Sequence, residues 1–148
     1  MTTKSSGFSL VELLVVIAII GVLSAVGTLT YQGYIAGTKK KTAKNAMMQI
    51  ALGQTEYYSN EGTYYYTAGD ACAADTLVDD NDGIEDELFS KGDVITYEMG
   101  YTMCVAEVGT SYLVVAENST KSDDGTWSKS TVRITLDGNG SFTETDLN

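Results

Sequence analysis

A single carboxylate, Glu12, lies inside the apolar segment near the start of the chain. From Leu10 to Val26 every other residue is apolar or small, and no Lys or Arg interrupts the run. A carboxylate inside such a segment costs about 2.5–3.5 kcal/mol on membrane-insertion scales, so it is expected to have a partner or a function. The alternative is an acid tolerated near lipid headgroups, because Glu12 lies close to one end of the segment.

The acidic run from Asp79 to Glu87, with the sequence DDNDGIEDE, is the second candidate functional segment. Oxygen ligands at alternate positions before a glycine turn, followed by a further acid, are typical of calcium sites. The matching positions are Asp80, Asp82 and Asp86. The full EF-hand pattern fails, since Val78 and Phe89 occupy its first and last ligand positions. Two interpretations remain open: a calcium-binding loop, or a solvated acidic loop that leads into a short helix over Ile84–Phe89.

The sequence contains no recognisable catalytic motif. The chain has no histidine, which is the commonest general base and zinc ligand. No phosphate-binding glycine loop and no nucleophile elbow can be recognised in it. We therefore predict that the chain is not an enzyme and requires no cofactor, with calcium as the one candidate ligand.

Charge is distributed unevenly along the chain, whose formal net charge is -11. Four of its basic residues are crowded together at Lys39, Lys40, Lys41 and Lys44. From Glu61 onward there are eighteen acidic residues and only four basic ones. An acidic surface repels phosphate, so we expect no direct binding of nucleic acid by this part of the protein.

The pattern of apolar residues predicts one long helix that contains Glu12. About 20 apolar residues suffice to cross a bilayer as a helix, and this segment is apolar on all faces. Beyond it, apolar residues recur at three- and four-residue spacing to about Ser59, which predicts a helix that continues as an amphipathic one. Asn60-Glu61-Gly62 is a plausible end of this helix.

The C-terminal half alternates in the manner of antiparallel strands. The predicted strands are Thr96–Val108, Ser111–Asn118, Ser130–Leu136 and a short last one near Ser141–Thr145. A small sheet that faces the amphipathic stripe of the helix would bury both surfaces. The expected class is α+β, with a long connection from Gly69 to about Asp93.

The segment from Lys4 to Tyr34, KSSGFSLVELLVVIAIIGVLSAVGTLTYQGY, resembles the N-terminal signature of type IV pilins and pseudopilins, most closely that of type IVa major pilins. The resemblance implies the pilin fold and three parts: a cleaved leader (residues 1–7), a membrane and filament-core helix (8–34) and a globular head (35–148). A prepilin peptidase would cut between Gly7 and Phe8 and methylate the new amine of Phe8.

The resemblance also implies a role for Glu12. The new ammonium of Phe8 and the carboxylate of Glu12 are opposite charges, and neither is tolerable unpaired in an apolar helix bundle. Pairing of Glu12 with the amine of a neighbouring subunit would fix the axial register of a filament, as a buried polar residue fixes register in coiled coils.

The partners implied by the resemblance are further copies of the chain, the peptidase, an inner-membrane assembly platform and a separate assembly ATPase. The precursor would lie in the inner membrane and the product in an extracellular pilus that supports adhesion, motility or DNA uptake. The positive-inside rule conflicts with this orientation, because it would place the lysines from Lys39 to Lys44 in the cytoplasm. The alternatives are a pseudopilin of a type II secretion system and a minor tip pilin acting as a calcium-dependent adhesin.

The sequence departs from the family pattern in two places. Pilins commonly have a proline where this chain has Leu29, and no proline occurs anywhere in it. Gly21, Gly27 and Gly33 would weaken the helix instead, by about 1 kcal/mol each, or would permit close helix packing. Pilins also typically have one disulfide near the C-terminus of the head. A bridge between Cys72 and Cys104 is the default expectation for an exported protein, although Cys72 lies unusually early and buried free thiols are the alternative.

Overall fold

The computed structural model describes residues 7–67, 72, 80–119 and 130–147. It has a long helix, a short helix and a four-stranded antiparallel sheet, which confirms the predicted α+β pilin-like class. The elements are α1 (Leu10–Glu61), α2 (Asn81–Leu88), β1 (Tyr101–Val108), β2 (Ser111–Asn118), β3 (Val132–Asp137) and β4 (Phe142–Asp146). Residues 1–6 of the predicted leader, and residues 69–71 and 73–79 of the predicted connection, lie outside the described residues.

Helix α1 is apolar in its first half and amphipathic in its second. It is the one helix among the described residues that is long and apolar enough to cross a membrane. It ends where predicted, since Gly62 has a positive φ of 74° and its N–H donates to the carbonyl of Tyr58 at 2.9 Å. The chain divides into two compact units, residues 1–38 and 39–148. The predicted boundary between the membrane helix and the head stays a prediction.

The sheet is a simple meander in which each strand pairs antiparallel with the next, in the order β1-β2-β3-β4. Strand β1 begins five residues later than predicted. A 3-10 turn over Tyr97–Met99 precedes it, and Gly100 has a positive φ of 68°. The left-handed conformation at Gly100 breaks the extended backbone, so pairing starts only at Tyr101.

The core of the second unit lies between α1 and one face of the sheet. Buried side chains of the helix are Ala43, Ala46, Met47 and Ile50, and those of the sheet are Tyr101, Met103, Val105, Tyr112, Val114, Ala116, Ile134 and Leu136. The buried amide of Gln54 donates to the carbonyl of Tyr65 at 2.8 Å and accepts from its N–H at 2.9 Å. This pair of hydrogen bonds fixes the end of α1 against the chain that follows it.

The two edges of the sheet differ. At the β1 edge, Thr67 exchanges hydrogen bonds with Val105, and the N–H of Met103 donates to Oδ1 of Asn81 at 2.9 Å. At the opposite edge, β4 pairs only with β3 in the part of the chain that the structure describes. That outer strand is polar and exposed, and it contains Glu144 and Asp146.

Candidate functional sites

The predicted cleavage point lies in a short non-helical segment before α1. Residues 7–9 have no regular secondary structure, and Phe8 is 81 % exposed. The described side chains that follow, up to Thr28, are exposed as well. The bond between Gly7 and Phe8 is therefore accessible in this conformation, which suits a peptidase substrate. The processing role of these two residues stays a prediction.

Glu12 is held at the start of α1 by a local contact. Its Oε2 accepts a hydrogen bond from the backbone N–H of Ser9 at 2.9 Å, and the N–H of Leu13 donates to the carbonyl of Ser9 at 3.2 Å. Ser9 thus precedes the helix as its N-cap, and Glu12 occupies the third helical position. This is half of a capping box, in which an acid also complements the positive end of the helix dipole.

Ser9 is a residue that the sequence prediction missed, although the Ser-x-x-Glu spacing from Ser9 to Glu12 is a recognised signal for a helix start. The arrangement keeps the Glu12 carboxylate next to the segment in which cleavage would create an amine. The same carboxylate can therefore order the helix start in a single chain and accept an ammonium once one is formed. Pairing with a neighbouring copy stays a prediction.

The three glycines of the apolar segment, Gly21, Gly27 and Gly33, all lie within α1. A Cβ at any of them would meet no other side chain within 4 Å in the described structure. The surface of α1 at each glycine is thus not covered by another side chain of the described residues. This arrangement is compatible with both interpretations, helix weakening and close packing of another helix, and the choice between them stays open.

The predicted calcium ligands occupy the start and the exposed side of α2. The Oδ2 atom of Asp80 accepts hydrogen bonds from the hydroxyls of Tyr65 at 2.9 Å and Thr67 at 2.6 Å. Burial, and next the bond to Asp80, raise the pKa of Tyr65. Asp82 and Asp86 are exposed. Among the described residues no group of three or more acids, cysteines or histidines is arranged to hold a metal ion.

Glu85, which was not among the predicted ligands, anchors the chain after α2. Its Oε1 accepts hydrogen bonds from the backbone N–H groups of Val94 at 2.9 Å and Ile95 at 2.7 Å. Asp80 and Glu85 therefore act as acceptors that fix α2 and its neighbouring segments. Calcium binding by Asp80, Asp82 and Asp86 stays a prediction.

We predict that titrating the processed chain with calcium distinguishes the two interpretations of this run. If the acids form a calcium site, calorimetry shows saturable heat at or below millimolar calcium, in the range of extracellular sites. Asp82→Asn should then weaken binding, whereas Glu107→Gln, an exposed acid on β1, should not. The absence of heat at millimolar calcium would eliminate the calcium site.

The predicted disulfide is present and joins Cys72 to Cys104, with 5.8 Å between their Cα atoms. Cys104 is fully buried in the middle of β1, and Cys72 is half-buried. The bridge closes a loop with a sequence separation of 32 residues, which includes α2. Because Cys72 precedes α2, the disulfide links the connection before α2 to β1, an edge strand of the sheet.

Two of the clustered lysines contact β4. Lys40 forms an ion pair and hydrogen bond with Oε1 of Glu144, and Lys44 Nζ lies 3.7 Å from Oε2 of the same carboxylate. The hydrogen bond from Lys40 lowers the pKa of Glu144 and, reciprocally, raises the pKa of Lys40. Lys44 also lies 5.4 Å from the ring centre of Phe142. Glu144 thus neutralises part of the lysine cluster.

Comparison with known proteins finds one family motif at the N-terminus and several relatives that match part of the chain. Residues 2–28 match the family described as the prokaryotic N-terminal methylation motif. The chain is 43 % identical over 68 residues to a type IV major pilin protein of Neisseria gonorrhoeae, a match that covers 43 % of this chain and 39 % of that one. It is 44 % identical over 62 residues to a fimbrial protein of Eikenella corrodens, covering 39 % of this chain and 38 % of the relative.

A more distant relative is a type IV major pilin protein of Myxococcus xanthus, 31 % identical over 61 residues, which cover 41 % of this chain and 28 % of that protein. These matches thus span about two fifths or less of the relatives' own length. No solved structure matches the chain significantly.

A long helix whose first half is apolar, together with a four-stranded antiparallel sheet, gives the chain a pilin-like α+β fold. The methylation motif and the identity to major pilins from several organisms show that the chain is similar to type IV pilins over about two fifths of its length.

Proposed function

We propose that this protein is a structural subunit of a bacterial type IV pilus. The single observation that carries the proposal is the exposed apolar half of α1 with one carboxylate at its start. Such a surface needs either lipid or other apolar helices around it, since large exposed apolar surfaces are not stable in water. The similarity to major pilins favours the second environment as the final one.

The mechanism has three stages. In the inner membrane, a prepilin peptidase cleaves between Gly7 and Phe8 and methylates the new amine. An assembly platform and a separate ATPase then add subunits to a growing filament. Glu12 of each incoming copy pairs with the amine of a neighbour, which fixes its axial position. Adhesion, motility or DNA uptake would be properties of the extracellular filament, and the chain itself would catalyse no reaction.

The acidic run from Asp79 to Glu87 is the sequence feature on which a second candidate function depends, either a type II secretion pseudopilin or a minor tip pilin that acts as a calcium-dependent adhesin. Abundance in sheared surface filaments distinguishes these functions. A major pilin dominates such material, whereas a tip protein is rare in it and a secretion pseudopilin is not expected on the cell surface.

We predict that the mature protein begins at Phe8 and has one additional methyl group, measured by mass spectrometry of intact protein and its N-terminal peptide. Replacing Gly7 with valine should leave most of the chain unprocessed, because a branched side chain would then adjoin the bond to be cut. Gly21→Val, a matched change outside the cleavage segment, should leave processing normal. A mature protein that retains its first seven residues would refute the proposed function.

A further inference from the structure

The lysine cluster follows the apolar segment along the same helix. Lys39 lies five residues after Tyr34, and Lys40, Lys41 and Lys44 follow within α1. Glu144 contacts Lys40 and Lys44. Lys39 and Lys41 have no acidic partner in the part of the chain that the structure describes. Lys41 is exposed, and Lys39 is half-buried with its side chain beside Gly100, so neither charge is neutralised by a carboxylate of the described residues.

Two tyrosines separate the apolar segment from the lysines. Tyr31 and Tyr34 are 66 % and 71 % exposed. Apolar residues, then tyrosines, then lysines are the order found where a helix leaves a bilayer, since tyrosine favours the headgroup level. Lys39 and Lys41 follow Tyr34 by five and seven residues along the chain. The headgroup layer is about 5–7 Å thick on each side, and the long stem of lysine extends its reach.

We propose that Lys39 and Lys41 bind the phosphate groups of anionic phospholipids while the chain is anchored in a bilayer, and that Glu144 limits this binding by retaining Lys40 and Lys44. The inference rests on the membrane stage of the proposed function. It gives the lysine cluster a role at the stage that precedes assembly.

The charge distribution favours a lipid surface with a defined orientation of the protein. The chain from Glu61 onward, with eighteen acids and four bases, is repelled by an anionic membrane. The lysines are attracted to the same membrane within about a Debye length, 8–10 Å. Attraction of the lysines and repulsion of the acidic residues act together, which favours contact of the membrane with the lysines over contact with the acidic part of the chain.

The test uses the processed, full-length protein in vesicles that contain phosphatidylcholine and phosphatidylglycerol. Electron spin resonance of spin-labelled lipids gives the preference of the protein for one headgroup over the other. We expect Lys41→Gln to reduce the preference for phosphatidylglycerol by about two- to fivefold, the size of effect expected for one lysine near an anionic surface. Lys91→Gln, which removes one exposed lysine elsewhere, should leave the preference unchanged.

Removing the charge of Glu144 on β4 should change the lipid preference in the opposite direction. Glu144→Gln frees Lys40 and Lys44, so the preference for phosphatidylglycerol should rise, whereas Glu107→Gln should have no effect. Salt at about 0.5 M should abolish the preference, since the contacts are electrostatic and solvent-exposed. Inorganic phosphate, with the ionic strength held constant, should not compete, because a free ion lacks the multivalency of a lipid surface.

The inference is overturned if Lys41→Gln and Lys91→Gln behave alike, or if Glu144→Gln does not raise the preference. It is also overturned if Lys41→Gln leaves lipid preference intact and only weakens association between copies, because the cluster would then contact a second copy of the chain. Far-ultraviolet circular dichroism confirms that each variant is folded. Absence of pili from cells with the unaltered chain would instead refute the proposed function, so the two failures are distinguishable.

Discussion

Glu12→Ala should leave membrane insertion intact but lower the number of filaments per cell by about a hundredfold or more. The amine of Phe8 would then be buried among apolar helices without its partner, and breaking a buried ion pair costs about 3–5 kcal/mol. Insertion itself should become easier, because the substitution removes a charge from the apolar segment. Pili are counted by electron microscopy, and insertion is measured by fractionation of membranes.

Glu12→Gln is the matched control for the helix-start contact. Glutamine has the same size and can still accept the hydrogen bond from the N–H of Ser9, but it has no charge. If charge pairing drives assembly, the alanine and glutamine variants fail alike. Normal filaments with glutamine would show that the residue acts mainly by capping α1, and normal pilus numbers with alanine would contradict the assembly role altogether.

Loss of the disulfide should destabilise the head by about 3–4 kcal/mol, because a bridge of this loop length restricts the unfolded chain to that extent. Cys72→Ala is the cleaner substitution, since Cys72 is half-buried whereas Cys104 is fully buried in β1. Denaturant titration of the processed chain in detergent, followed by tyrosine fluorescence and near-ultraviolet circular dichroism, gives the free energy of unfolding.

Reduction of the unaltered protein provides the control. Reduced protein and Cys72→Ala should unfold at similar denaturant concentrations, because both lack the bridge and both keep the buried sulfur of Cys104. Cys104→Ala should be less stable still, since it adds a cavity in the sheet. A reduced protein as stable as the oxidised one would show that the bridge does not stabilise the head.

Local signals in the sequence predicted most of the fold. The end of α1 follows from a glycine, Gly62, placed directly after the last apolar turn of the stripe. Strands β2 to β4 follow from alternation bounded by turn residues, and the bounds of β2 were predicted without error. The disulfide could be predicted because the sequence offers only one pair of cysteines. Apart from the disulfide, whose cysteines are 32 positions apart, these features depend on residues that are neighbours in the chain.

Apart from the disulfide, contacts between distant residues could not be predicted. The sequence gives no sign that Asp80 accepts hydrogen bonds from Tyr65 and Thr67, because the spacing of the acids resembles a metal site equally well. The contact between Lys40 and Glu144 joins residues 104 positions apart and depends on how α1 meets β4. The ion pair between the buried Glu117 and Arg133 could not be predicted either, because it depends on the register of β2 and β3.

The two edges of the sheet decide whether a strand of another chain can pair with it when the protein is concentrated. An edge strand with unpaired backbone N–H and C=O groups can pair with a strand of another chain, and repeated strand addition leads to amyloid. Here the backbone of β1 is already occupied by Thr67 and Asn81, while β4 presents the acids Glu144 and Asp146 to any strand that approaches. The occupied backbone of β1 and the charged strand β4 therefore oppose continuous strand addition between copies of the chain.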